Sequence, residues 1–236
     1  MICWGLGAFG LGLTGVLETN TKEDMGQHAN FVLLWGANLA SQPNTGRHLA
    51  AAKHRGARVM AIDVRETEAT AHADESLLIR PGTDAALALA LMHVIIGEQL
   101  HNRNFIQQHT LGFDELAASV KDYTPAWAAG VTGIPAERIV ALARAYAAAT
   151  PAMIVVGGSS MHKGDGSWTG ARATAACPGS PATSASRAAA SARATAAPPM
   201  ARRSAASPPR SGARPAPSFR ARCRWSPRRC ATAACA

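Results

Sequence analysis

The residues of this chain that could do chemistry cluster at the ends of short apolar runs. Trp35-Gly36-Ala37-Asn38 ends one run with bare backbone and an amide. Asn38 either reaches a ligand or holds the turn through its own backbone, as asparagine often does. Ile62-Asp63-Val64-Arg65 ends the next. A carboxylate placed like Asp63 can accept hydrogen bonds from ribose hydroxyls, and Arg65 can meet phosphate as a charge-assisted donor; a solvated ion pair is the alternative for both. In Arg80-Pro81-Gly82-Thr83-Asp84, either Thr83 or Asp84 suits a helix N-cap, or Asp84 could read the N1 and N2 donors of a guanine with its two oxygens. Gly157-Gly158-Ser159-Ser160 offers exposed N–H groups as a small phosphate cradle. Gly5-Leu6-Gly7-Ala8-Phe9-Gly10 satisfies G-x-G-x-x-G, yet only four residues precede it. That is too few for the strand the dinucleotide fingerprint requires, so a loop or a helix start is expected there. The histidines share no spacing that would nominate a general base.

These loops need strands and helices to position them. Residues 31–36 form a continuous apolar run ended by glycine, the pattern of a strand buried on both faces. A polar loop over 37–44 leads into a predicted helix over 45–54, with Thr45 as N-cap and Gly56 at the C-terminal stop. A second apolar strand follows over 57–64, which completes a βαβ unit. The pattern then predicts a helix over 68–73, a strand over 76–80 and an amphipathic helix over 84–97 behind a Pro-Gly-Thr turn. Helices over 104–109, 114–121 and 135–148 come next, the last with Pro135 in its first turn, and a strand over 152–156 closes the series. The fold class is α/β: an open, mostly parallel, Rossmann-like sheet flanked by helices. Ligands of such sheets bind beyond the carboxyl ends of the strands, here after Trp35, Ile62 and Val156.

Composition divides the chain in two. The formal net charge of +9 would suggest a nucleic-acid or membrane-surface partner if it were spread over a folded surface. It is not: residues 1–170 hold 12 Lys and Arg and all 15 Asp and Glu, whereas residues 171–236 hold 12 Arg and no acid. From Ala171 onward there is also no Leu, Ile, Val, Asn, Gln, His or Tyr. Such a segment cannot bury enough apolar surface to offset its ordering entropy. The expectation is a folded region over 1–170 and a disordered Arg/Ala/Pro/Ser-rich tail over 171–236. A GC-rich gene translated out of frame yields this alphabet, which is the preferred reading of the tail. A basic nucleic-acid-binding arm is the alternative, opposed by the isolation of Phe219 and Trp225, because single-strand binders interleave aromatic and basic residues. Four of the five cysteines fall in the tail, and no pair in the rest has metal-ligand spacing, so neither a disulfide framework nor a zinc site is expected. The stretch from Ile2 to Val16 lacks a basic n-region and fits neither a signal peptide nor a membrane span. The chain as it stands is therefore expected in the cytoplasm.

Taken in order, several strings resemble the dimethyl sulfoxide reductase family of molybdopterin oxidoreductases. They are Leu33-Leu34-Trp35-Gly36-Ala37-Asn38, His54-Arg55-Gly56-Ala57-Arg58, the run from Ile62 to Glu68, the run from Ile79 to Leu87, Phe105 to His109, Gly112 to Glu115, Tyr123-Thr124-Pro125 and Thr132 to Ile139. The likeness covers about residues 2 to 172 and fails near Lys163 to Ala173, where the composition changes. It implies a bis-(molybdopterin guanine dinucleotide) cofactor with molybdenum cycling between oxidation states IV and VI. Cys3 falls where relatives place a metal ligand, and a thiolate is a suitable soft donor; a small buried hydrophobe is its alternative role. By the same resemblance Gly36, Asn38, Asp63, Arg65, Gly82 and Asp84 would contact a guanine dinucleotide arm, and Gly157, Ser159 and His162 would approach the pterin. Formate dehydrogenases carry a histidine directly after the metal ligand, where this chain has Trp4. Relatives also often carry an acidic residue after the first strand, where this chain reads Asn38-Leu39-Ala40-Ser41.

The resemblance thus implies an internal piece of a molybdenum-dependent oxidoreductase, performing two-electron redox or oxygen-atom transfer in the parent and inactive alone, because half the cofactor contacts would lie elsewhere. The parent would meet a small-molecule substrate and an electron-transfer partner. An iron–sulfur cluster is possible there, although its cysteines are absent from this sequence. Two competing readings are a free-standing nucleotide-binding dehydrogenase, opposed by the missing strand before Gly5, and nucleic-acid binding through the tail.

Overall fold

Strand β1, Phe31–Trp35, is five consecutive buried apolar residues, and the other elements are arranged around it. The computed structural model describes residues 5–13, 20–157 and 167–177. In chain order they form α1 (Gly5–Gly12), α2 (Lys22–His28), β1, α3 (Pro43–His54), β2 (Arg58–Asp63), α4 (Glu68–His72) and β3 (Glu75–Leu78). Helices α5 (Asp84–Gly97), α6 (Arg103–His109), α7 (Phe113–Ser119), α8 (Pro125–Thr132) and α9 (Ala136–Ala148) follow, then β4 (Ala152–Val156) and α10 (Ser167–Ala176). A short 3-10 turn, Val120–Asp122, follows α7.

All four strands pair in parallel, in the order β3-β2-β1-β4. Phe31 lies beside Arg58 on one side and Ala152 on the other, while Trp35 lies beside Ile62 and Val156. Because side chains alternate across a strand, β1 feeds two cores. Phe31, Leu33 and Trp35 pack with Met60, Ile62 and residues of α5 and α9. Val32 and Leu34 pack on the opposite face with Val59, Ala61, Met25 of α2 and Leu49 of α3. This is the expected α/β sheet covered on both faces. The connection order reverses between β1 and β4, a topological switch point of the kind beyond which open α/β sheets place their ligands.

Several local expectations change. Helix α3 starts at Pro43, not after a Thr45 cap: proline's fixed φ suits a first helical turn, and Thr45 is buried inside the helix with its hydroxyl on Gln42 Oε1 at 3.2 Å. Pro135 is the N-cap residue of α9, whose first helical residue is Ala136. Helix α5 keeps the predicted bounds but is not amphipathic; ten of its fourteen residues are buried, because the sheet covers one side and α8, α9 and α10 cover others. Three helices escaped the sequence reading, α10 among them. Helix α2 is announced by a capping box in which the Thr21 hydroxyl accepts from Asp24 N and Asp24 accepts from Thr21 N. Helix α8 is capped by Thr124 and stopped by Gly133 at φ +80°.

Two further differences concern small residues. The pattern Gly5-x-Gly7-x-x-Gly10 lies inside α1, where a Cβ on Gly10 would sit 2.2 Å from the Trp168 carbonyl oxygen. Its last glycine permits a close crossing of α1 over α10, with Phe9 edge-on to Trp168 at 6.0 Å. Order also continues past Ala171, where composition alone predicts it to end. Ala171, Ala173, Thr174 and Cys177 are buried, and Ala173 and Cys177 join the α5 core. Small side chains let α10 lie close to its neighbours, so the helix needs no Leu or Ile to be packed. The remaining tail, 178–236, and segments 1–4, 14–19 and 158–166 lie outside the described residues. Among the described residues, no helix is long and apolar enough to cross a membrane.

The burial of α5 on nearly every side makes it sensitive to truncation. Leu87→Ala should lower the unfolding free energy by about 2–5 kcal/mol through the cavity it leaves, whereas Leu111→Ala, at a fully exposed loop position, should change it by about 0.5 kcal/mol or less. Urea unfolding followed by circular dichroism measures both.

Candidate functional site

The crevice floor is made by backbone. Gly36 leaves β1 at φ +60° and donates its N–H to Ile62 O at 2.7 Å, while Gly157 at the end of β4 donates to Trp35 O at 2.8 Å. The two glycines cross so closely that a Cβ on Gly157 would lie 1.7 Å from Gly36 O. No side chain can therefore stand at that crossing, which lies beside the switch point.

Acidic groups surround this floor. Asp63 ends β2, is half-buried, and accepts its neighbour Val64 N at 2.7 Å. Asp84 opens α5 and is half-buried; its Oδ1 accepts the indole N–H of Trp35 at 2.8 Å. Its other oxygen receives no hydrogen bond from another residue among those described. Burial holds the Asp84 carboxyl above its ordinary range; the Trp35 N–H and its own backbone N–H pull it down, and the nearby charge of Asp63 pushes it up again. Asp63 follows Ile62, the register partner of Trp35, and Trp35 binds Asp84, so both acids lie at the same end of β1.

The Asp84 loop is pinned at its other end too. Gly82 turns at φ +78°. The Thr83 hydroxyl donates to Arg80 O at 2.7 Å instead of capping α5 through its side chain. Arg80 Nη1 donates to Gly130 O at 2.6 Å and Val131 O at 3.2 Å, near the C-terminal end of α8. A cation there suits the helix dipole and the unpaired terminal carbonyls.

Of the sequence-predicted site residues, Gly36, Asp63, Asp84 and Gly157 thus come to one edge of the sheet. Asn38 lies in the loop just beyond and holds an Asx turn, its Oδ1 accepting Ala40 N at 3.0 Å. Arg65 is exposed, and no ion pair joins it to Asp63 among the described residues. Gly82 serves the turn that delivers Asp84. Cys3, Ser159 and His162 lie outside the described residues. Cys177 is fully buried, and burial pushes its thiol up to about 12, so it supplies no thiolate. Among the described residues no group of three or more His, Cys, Asp or Glu could hold a metal ion. Sequence reasoning missed Trp35 as a polar participant. The available signal was that a tryptophan at the end of a fully buried strand needs a partner for its N–H.

The sequence of residues 3–177 matches the family model for molybdopterin oxidoreductases. The chain belongs to the molybdopterin oxidoreductase family. The match runs to Cys177, beyond the point near Lys163 to Ala173 where the resemblance was expected to fail, and it takes in the whole of α10. A similar relative, the probable oxidoreductase YoaE of Bacillus subtilis, is 32% identical over 169 residues, which cover 70% of this chain and 24% of that protein. The thiosulfate reductase molybdopterin-containing subunit PhsA of Salmonella typhimurium is 43% identical over 107 residues, covering 45% of this chain and 14% of that protein. The solved structure of acetylene hydratase from Pelobacter acetylenicus superposes with a TM-score of 0.60 at 29% identity, over 73% of this chain and 25% of that one. The chain spans at most about a quarter of the length of these relatives. The family is one built around a molybdenum–pterin cofactor.

Two outcomes follow from the geometry. Gly157→Ala should destabilise the chain by about 3 kcal/mol, because backbone on both sides must shift; a urea midpoint equal to wild type would contradict the crossing. Asp84 is held more protonated in the folded protein than in the unfolded chain, so its contribution to stability declines as pH rises from the ordinary aspartate value through the raised folded value, and stays low above it. Asp84→Asn, which keeps an acceptor for Trp35, should remove that dependence and match or exceed wild-type stability at neutral pH. Unfolding free energies of both proteins across the acid range supply the comparison.

Proposed function

We propose that this chain supplies one guanine-nucleotide arm of a bis-(molybdopterin guanine dinucleotide) site in a molybdenum-dependent oxidoreductase. The bound cofactor would supply two-electron redox or oxygen-atom transfer at molybdenum. The observation that carries the reading is the gathering of Gly36, Asp63, Asp84 and Gly157 at the carboxyl edge of a parallel sheet, beside its switch point.

The donor and acceptor types suit a guanine nucleotide. Asp84 offers acceptor oxygens to the N1 and N2 hydrogens of the base, and Asp63 offers them to ribose hydroxyls. Arg65 is free to meet phosphate oxygens. The absence of a side chain at Gly36 and Gly157 lets a pyrophosphate or pterin approach the main chain there. Gly82 acts indirectly, by turning the chain that delivers Asp84. On the pterin side the reading assigns Ser159 and His162, and it assigns Cys3 as the thiolate ligand of the metal. Substrate and electron partner belong to the parent enzyme in this reading. The similar proteins, a thiosulfate reductase subunit and an acetylene hydratase among them, act on different small molecules by name, which fits a shared cofactor-holding portion.

Isothermal titration of the full chain with GDP and ADP tests the reading. GDP should bind at least about tenfold more tightly than ADP, a preference of the size that a hydrogen-bonded base edge supplies. Asp84→Ala should abolish the preference, and Arg65→Ala should weaken both nucleotides alike. Equal affinities for GDP and ADP in the wild-type chain would sink it.

A further inference from the structure

We propose that Trp35 is a positioning residue for guanine recognition: its indole N–H fixes the orientation of the Asp84 carboxylate at the crevice. This rests on the guanine-nucleotide reading above and adds to it a residue that touches no ligand.

Trp35 is completely buried, with its ring in the core between the sheet and α5. Its Nε1 lies 2.8 Å from Asp84 Oδ1, across 49 residues of sequence. Its carbonyl accepts Gly157 N, so the same residue sets both the crevice floor and the acid above it. The loop entering α5 is held separately by Arg80 on α8 and by the Thr83 hydroxyl on Arg80 O. With its backbone anchored there and one oxygen anchored on Trp35, the Asp84 carboxylate has a single orientation. An ionised carboxylate has about four lone-pair sites; the indole takes one and leaves acceptors on both oxygens for a pair of parallel N–H donors.

Ionisation matters as much as aim. A protonated carboxyl loses an acceptor and cannot take both guanine donors. Burial and the negative charge of Asp63 favour the proton on Asp84, while the Trp35 N–H opposes it. Trp35, Asp63 and Asp84's own backbone N–H are the groups that act on this carboxyl among the described residues. The indole is therefore the side-chain contact that keeps Asp84 in its reading form.

The test titrates the full chain with GMP, IMP and AMP over a pH series. IMP keeps N1–H but lacks the N2 amino group, so the GMP-to-IMP ratio reports on the second acceptor alone. In the wild-type chain GMP should bind more tightly than IMP, and its affinity should fall as pH drops through the Asp84 titration. Trp35→Phe, which keeps a buried ring without the N–H, should weaken GMP about tenfold, bring the GMP-to-IMP ratio toward one and move the pH midpoint upward. A purely structural defect would weaken all three nucleotides equally and leave the midpoint in place, and that result overturns the role of Trp35. Should Trp35→Phe lose its cooperative unfolding, benzothienylalanine at position 35 preserves the ring shape without an N–H, and the same two outcomes apply to it. Absence of GMP binding by the wild-type chain overturns the guanine reading itself; GMP binding that both variants leave intact, with ratio and midpoint unchanged, overturns only the inference about Trp35.

Discussion

The end of β1 is the point on which this architecture turns. Trp35 is in the sheet through its backbone, in the core through its ring and at the crevice through its indole N–H. One residue further, Gly36 leaves the strand in a left-handed conformation, and its carbonyl sits where any side chain on Gly157 would have to go. Strand order, crevice floor and the position of the leading acid are consequently coupled. Moving any one of them disturbs a packed core, which resists small continuous adjustments.

Two arginines tie helix ends to loops remote in sequence. Arg80 is bound to carbonyls near the end of α8, and Arg55 does the same for α2, donating to Gly26 O at 2.8 Å and Ala29 O at 3.1 Å. Both arginines lie in strings that carry the family resemblance, and both act here as terminal caps for helices far away in sequence. Neutralising otherwise unpaired helix-end carbonyls is work that a planar guanidinium with several donors does well. Alanine and glycine perform a complementary task. In α1, α5 and α10 they allow helices to approach closely, so that a region poor in large side chains still forms a continuous core.

The crevice itself carries a polarity that suits its proposed ligand. Two acids and, just past them, an exposed arginine would offer acceptors to base and sugar and donors to phosphate in the proposed complex. The cost is a carboxyl kept partly out of water near another carboxyl, a strain that buried acids at binding sites commonly bear. The indole N–H offsets part of it at the place where the acceptor must be fixed.

Much of the frame was legible in the residues alone. Continuous apolar runs announced β1, β2 and β4, and the Pro-Gly-Thr turn located the start of α5, because each of these signals is local. The α5 misreading does not come from that locality, since only Asp84 and His93 within it are polar, the pattern of a helix buried all round; α10, in contrast, reads as tail until α1 and α5 are seen to accept small side chains. Candidate ligands such as Asp63 and Asp84 could be named from their places at strand and helix ends. Which of them meet, and that Trp35 holds one of them, depended on contacts between residues tens of positions apart, and only folding the chain brings those into reach. Chain-local chemistry therefore set the elements and the candidate groups, whereas the aim of the groups was decided by long-range packing.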